Sequence, residues 1–599
     1  MTGALASPPT APVPDPELAL GDLATGAAQA RALPVYFGER DESRFGWLHL
    51  PEGSAARAAV VLCPPLGIEA LNAHWVYRRL ASELAASGVA ALRFDYRGTG
   101  DSSGEMNHVT GLVEDVAAAV RFVRDCGAPS VALVGLRVGA TLAAKAAEAQ
   151  PVEALVLWDL CSGRSFLREQ RALKLLSVGP SADAPDGAVE LLGMVLSKGL
   201  ADELRATALQ PSGAPRARRT LLVERPERPR DERLHRALER EHLECLAAEG
   251  QHEFIDVEPG YSEPPERVMK DLVTWLDAQF STERRAIVNA GRPSAVVRAP
   301  DGSCHTERAE VIVSRGLAAV VTEPARRDPS APVAFLLNAG LIHHVGPGRL
   351  WVELARDFAA RGIASVRFDL RGVGDSDGAE APIRHAYPPE ALGDVAAAIA
   401  HYCPGGARDA YLVGLCSGAY HAAEAAIVLG ARAVGLLNPA LFFDPAELHV
   451  PSEEEAVPAA GAAIAMNPLV RWMRSKRILV NLVEWRPIRK LRHNPRLSAM
   501  LDGASPLWAA ADRLGIAKSP LRVIEALAAA GVDTLLVCGS WESRPFVRWR
   551  KRTRALEQSG ALCYLSFASD DHTFFEAGNR RRAMALVRDQ VATRTRADR

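Results

Sequence analysis

Two five-residue motifs share one pattern in this chain and differ at the residue that does chemistry. Gly135-Leu136-Arg137-Val138-Gly139 follows the apolar run Val131 to Val134, and Gly414-Leu415-Cys416-Ser417-Gly418 follows Ala410 to Val413. Strand, tight turn and small-residue helix, in that order, present the middle residue of G-x-Nuc-x-G on a strained turn open to substrate. A cysteine there can attack a carbonyl carbon; an arginine cannot. A helix that begins just after the cysteine also favours the thiolate through its positive end. One motif is thus equipped for nucleophilic chemistry and the other is not.

The motifs sit inside a longer repeat. Ala59 to Gly67 (AVVLCPPLG) is matched by Val333 to Gly340 (VAFLLNAG), apolar runs that each end in a turn. Segments with helical apolar spacing follow, Tyr77 to Ala86 and Leu350 to Ala360. Then R-F-D-x-R-G-x-G-D-S occurs twice, from Arg93 to Ser102 and from Arg367 to Ser376, with Gly104 and Gly378 two residues on. Apolar strands alternating with helices predict a parallel sheet covered on both faces. A repeat this long predicts duplicated domains, not a solenoid.

R-F-D-x-R-G-x-G-D-S-x-G followed by G-x-Nuc-x-G resembles the α/β-hydrolase superfamily, and within it the bacterial hydrolases of serine-aminopeptidase-like, S33 type. The resemblance covers each half nearly end to end. It implies an α/β fold of two tandem α/β-hydrolase domains, each a mostly parallel sheet flanked by helices with a helical lid insertion. Such folds host esterases, thioesterases, lipases, peptidases and acyltransferases, so the resemblance names no substrate.

The expected organisation is a disordered Ala/Pro-rich tail over 1–33, a first domain over 34–281 and a second over 282–599. The tail lacks the basic start and apolar core of a signal peptide. Lids are expected over about 162–219 and about 444–531. The second contains apolar and basic helical segments over 469–492, read as an amphipathic helix with a solvated basic face in preference to a lid that recognises acidic substrates. At 599 residues the chain needs more than one core. Net charge of -2 gives no field that draws nucleic acid, and no apolar run reaches the length of a membrane span. Nine scattered cysteines without C-x-x-C pairs argue against a zinc cluster or disulfide framework and for a reducing, cytoplasmic setting. No metal or other cofactor is expected.

The superfamily keeps its catalytic residues in the order nucleophile, acid, histidine. Cys416 takes the nucleophile place, with Ser417, one residue late, as a minor alternative. His572 takes the base position, in the loop after the run Ala561 to Phe567. Glu542, three residues past Gly539, matches the acid position, with Asp571 as the alternative. The resemblance implies an oxyanion hole from the backbone amides of Leu341 and Ser417. His343 and His344 are candidates to line the pocket. Asp369 and Asp375 are expected to hold their own loop together through backbone hydrogen bonds.

In the first half the same positions hold Arg137 at the nucleophile and Arg228 at the acid. The last loop, Val257 to Pro264, contains Tyr261 and no histidine, and His252 precedes it. Glu227 is a residual acid candidate. Two readings of Arg137 stay open: a clamp for a carboxylate or phosphate, or an internal ion pair with Glu227 or Asp159 that props the old site. The expected function is a hydrolase or acyltransferase acting on an ester or thioester through a Cys-His-Glu triad and an S-acyl intermediate. Its partner would be a small acyl substrate, carrier- or CoA-linked. The rivals are an inactive binding or scaffold protein and a peptidase.

Overall fold

A computed structural model describes residues 31–597 apart from 181–186, 229–230, 258–261, 300–301, 379–385, 442–519 and 570. Two large sheets organise it. The first runs in the order Arg31–Phe37, Arg44–Leu50, Ala90–Phe94, Ala59–Cys63, Val131–Leu136, Val152–Trp158, Ala217–Glu224, Leu243–Ala247. Each of its first three strands runs antiparallel to the next, and the rest pair in parallel. The second begins with Ser294–Arg298, Cys304–Ile312, Leu317–Pro324 and Ser365–Phe368, again antiparallel neighbours. It continues in parallel through Val333–Leu337, Ala410–Leu415, Ala433–Leu437, Asp533–Cys538 and Leu562–Ser566.

The central strands are apolar along their whole length because helices cover both faces. In the first domain Ile68–Ala86 and Glu266–Asp277 cover one face, and Val109–Asp125 and Val138–Ala149 the other. In the second, Leu350–Ala359 and Ala577–Ala597 lie opposite Ala391–Tyr402, Ser417–Leu429 and Leu521–Ala529. Among the described residues no helix is long and apolar enough to cross a membrane.

Three expectations need correction or narrowing. Residues 31–33 belong to the edge strand, where Arg31 pairs with Leu50 and Leu33 with Leu48, so the expected tail overruns the fold. Residues 1–30 lie outside the described residues. The first insertion is not wholly helical. Between the helices Gly163–Ser177 and Lys198–Ala206 it carries a small hairpin, Val189–Leu191 paired with Met194–Leu196, and its last residues already open the strand Ala217–Glu224. Most of the second expected lid, 442–519, lies outside the described residues. Its final part is core: Leu521, Val523, Ile524 and Leu527 are buried in the helix beside Ser417–Leu429.

The domains meet through the duplicated R-F-D-x-R-G-x-G-D block. Arg93 of the first reaches Asp375 of the second, Nη2 to Oδ1 at 2.5 Å. Arg367 of the second pairs with Asp101 of the first. His344 lies between Asp101 and Asp369, 2.8 Å from each, and is buried. Burial opposes its charge, but the two carboxylates outweigh that and raise its pKa well above the ordinary value. Tyr36, Phe45 and Trp47 pack beside these pairs against Ala295, Ala309, Ala318 and Val320.

Candidate active site

Cys416 stands between the strand Ala410–Leu415 and the helix Ser417–Leu429 with φ 58° and ψ -115°. A non-glycine residue in this region stores on the order of 1–3 kcal/mol of strain, which the surrounding packing must hold. The flanking glycines explain how the turn closes. A Cβ on Gly414 would lie 2.1 Å from the Gly418 carbonyl, and one on Gly418 would lie 2.4 Å from the Asn338 oxygen. The thiol is left partly buried at the apex.

His572 follows the strand Leu562–Ser566, and Glu542 follows Asp533–Cys538. His572 Nδ1 is 2.7 Å from Glu542 Oε1, and the ring is hydrogen-bonded to the Cys416 thiol. Burial works against a charged His572, yet the bonds from Cys416 and Glu542 and their negative charge raise its pKa to about 10. Burial likewise pushes the Cys416 thiol up, but the His572 bond and charge, with the Ser417 amide, bring its pKa below the ordinary value. Both directions favour a thiolate–imidazolium pair.

Asn438 was not singled out in the sequence, yet it joins the two loops. Its Nδ2 donates to the His572 carbonyl at 2.7 Å, and its Oδ1 accepts from the Gly539 amide at 2.6 Å. Its position just past the run Ala433 to Leu437, matching Asp159 after Val152 to Trp158, was the available signal.

The Ser417 amide faces the Cys416 sulfur, whereas the Ser417 hydroxyl accepts from the Gly340 amide at 3.0 Å and is buried. That hydroxyl is a brace for the turn leading to Leu341. Asn338 shapes the same turn by donating to the Ile342 carbonyl and to Asp369. Asp571 makes its hydrogen bonds elsewhere than to His572. Its two oxygens accept from the amides of Phe575 and Glu576 and so tie down the loop after His572.

Asp369 holds its own loop as expected, accepting from the amides of Asp375 and His344. Asp375 instead turns to the other domain, to Arg93 and His74. His344 is likewise a clamp between domains, and both it and His343 line a cavity. That cavity, about 500 Å³, lies between the domains and is lined by Leu66, Ile68, Leu192, His343, Arg349 and Phe575 among others. Neither Cys416 nor His572 lines it. Ligand atoms of His344, Asp369 and Asp375 come within 4.8 Å of one another. Both His344 nitrogens and Asp375 are already taken by opposite charges, so the cluster is an ion-pair network and does not fit a metal.

The first elbow keeps the backbone and carries an arginine at its apex. Arg137 has φ 57° and ψ -125°, and a Cβ on Gly139 would lie 2.3 Å from the Pro64 oxygen. Its guanidinium is 1% exposed and meets Glu69 at 3.4 Å, Asp159 at 3.3 Å and Glu169. Three carboxylates around one guanidinium leave it no vacancy for an anion, so the internal-pair reading replaces the clamp. Asp159 was an expected partner; Glu227 was not found there. It is exposed and reaches Arg225 at 3.9 Å. Burial raises the Glu69 carboxyl to about 7, against the pull of Arg137. Arg228, at the acid position, lies 3.9 Å from both Asp159 and Glu169. Tyr261 lies outside the described residues.

Tandem sheets of this order, each with an elbow at the end of a central strand, define the α/β-hydrolase class. Residues 54–159 match the family described as serine aminopeptidase, S33, and residues 333–585 match the alpha/beta hydrolase family. The chain belongs to the α/β-hydrolase superfamily. No curated protein matches it. Among solved structures it is similar to the Butyrivibrio proteoclasticus protein Est1E with ferulic acid bound, at 15% identity over 41% of this chain and 98% of that one, TM-score 0.32. It is similar to a soluble variant of Saccharomyces cerevisiae monoglyceride lipase at 13% identity, over 45% and 100% of the two chains, TM-score 0.31. A Xanthomonas campestris α/β serine hydrolase without lid shares 18% identity over 43% and 98%, TM-score 0.28.

Proposed function

We propose that the second domain is a cysteine-nucleophile hydrolase or acyltransferase for ester or thioester carbonyls, and that the first domain is non-catalytic. The observation that carries this reading is the contact chain from Cys416 through His572 to Glu542. His572 holds the thiol proton, and the Cys416 thiolate attacks the carbonyl carbon. The amides of Leu341 and Ser417 receive the oxyanion as the tetrahedral intermediate forms. The imidazolium returns its proton to the departing alkoxide or thiolate, leaving an S-acyl enzyme. Water or another acceptor then loses a proton to His572 as it attacks the thioester, and Cys416 leaves as thiolate. Glu542 orients the ring and supports its positive charge.

The test is an aryl-ester series of increasing acyl length, read by intact mass. An acyl adduct on the wild-type chain that is absent from Cys416→Ala supports the reading. No adduct with any donor, together with a Cys416 inert to iodoacetamide, overturns it in favour of a binding protein.

A further inference from the structure

Two segments flank the second elbow, the turn that ends at Leu341 and the loop that carries His572. Both run on into contact with the first domain. Ile342 and Phe575, one residue and three residues past Leu341 and His572, join Ile68 and Leu192 of the first domain in one apolar cluster. His343 stacks on His74 with ring centroids 3.9 Å apart and an angle of 13°. The first domain also hydrogen-bonds the histidine loop directly. The Gly193 amide donates to the Phe575 carbonyl at 3.2 Å, and Glu190 Oε1 accepts from the Ala577 amide at 2.7 Å.

These donors and acceptors sit on the hairpin Val189–Leu191/Met194–Leu196, the part of the first insertion that sequence patterning did not foresee. Glu190 is 4% exposed, with Lys174 Nζ 3.6 Å away. Gly193 has φ +76°, and a Cβ there would lie 2.9 Å from the Phe575 ring and 3.2 Å from Gly348 Cα. From the second domain's own side, Asp571 takes the Phe575 and Glu576 amides, and Arg580 donates to the Phe574 and Phe575 carbonyls. Residues 571–577 are therefore gripped from both sides, and the outer grip belongs to the other domain.

We propose that the first domain is a built-in activator of the second, and that Glu190 is a positioning residue that fixes the loop behind His572 so that its ring meets Cys416. This rests on the reading of Cys416 and His572 as nucleophile and base. A contact that misplaces a reacting pair by about 1 Å costs up to ~100-fold, so partial release of one of several contacts is expected to cost ~10-fold. The mechanism needs only the acceptor oxygen of Glu190, not its charge. That separates positioning from a structural ion pair with Lys174.

The experiment uses the full chain with Glu190→Ala and Glu190→Gln. It reads aryl-ester kcat and KM, and the pH dependence of Cys416 alkylation by iodoacetamide. Glu190→Ala should lower kcat ~10-fold with KM within about twofold and move the alkylation midpoint to higher pH. Glu190→Gln should restore both. Gly193→Ala, which leaves the Glu190–Lys174 pair intact, should act like Glu190→Ala, and it decides the matter if that variant does not fold. Wild-type behaviour of the Ala variants, or a Gln variant as impaired as Ala, overturns the proposal. If the wild-type chain turns over no ester, the alkylation profiles still decide: a shift in Ala that Gln reverses upholds the brace while the acyl-transfer reading falls.

Discussion

The two elbows differ by less than about a dozen degrees in backbone yet hold opposite chemistry. Arg137 at φ 57°, ψ -125° and Cys416 at φ 58°, ψ -115° occupy the same strained turn. Asp159 and Asn438, just beyond the neighbouring strands, share positive φ as well, 45° and 42°. The strain is therefore independent of the apex residue: it is fixed by glycines that let the helix approach the sheet. What separates the sites is the surroundings. Cys416 has a histidine and a glutamate in line, whereas Arg137 is closed in by carboxylates.

The largest effect that would break this contrast concerns the nucleophile. Cys416→Ala should lower ester turnover on the order of 10⁴-fold or more, and Arg137→Cys should add none, since among the described residues its partners are carboxylates and not a histidine. Turnover gained by Arg137→Cys would show that the first site is dormant, not dismantled. Next come the partners. His572→Ala and Glu542→Gln should each cost roughly 10²–10⁴-fold in kcat, measured with the same esters; a small loss in Glu542→Gln would return the acid role to the field.

Stability sharpens the other half of the comparison. Arg137→Met leaves the buried Glu69 without its cation, while Asp159 keeps Arg225 and Glu169 keeps Arg228, and should lower the first unfolding transition in urea by about 3 kcal/mol. Turnover below that transition should not change. The smallest effect is in pH. Because the thiol is held below its ordinary pKa, wild-type alkylation should persist below the ~8.5 of a free thiol. His572→Ala removes the opposing charge and leaves burial and the Glu542 carboxylate against the Ser417 amide alone, so the midpoint should move above that value. A midpoint unaffected by the substitution would mean that the histidine does not share its proton with Cys416.

Much of this was legible in the chain. The strand runs and G-x-x-x-G turns are local patterns, and the order Cys416, Glu542, His572 follows from strand order. The misses are contacts between distant segments. Glu69 and Glu169 reach Arg137 across separations of 68 and 32 residues, from a helix start and an insertion helix whose placement no periodicity encodes. Asp375 sat in a turn motif that satisfies itself through Asp369, which freed it for Arg93, 282 residues away. Asn438 looked like an ordinary strand-end residue because its two partners come from loops over a hundred residues downstream.

One consequence lies in the crossed pairs, Arg93 with Asp375 and Arg367 with Asp101. Corresponding positions of the two halves trade partners, which is the exchange symmetry of a two-fold dimer written into a single polypeptide. Fusion locks the stoichiometry at one to one and keeps each half at high effective concentration for the other. It also couples their drift. Reversing a charge in one half leaves its counterpart unpaired in the other, so neither copy is free to lose its surface, whatever stands at its elbow.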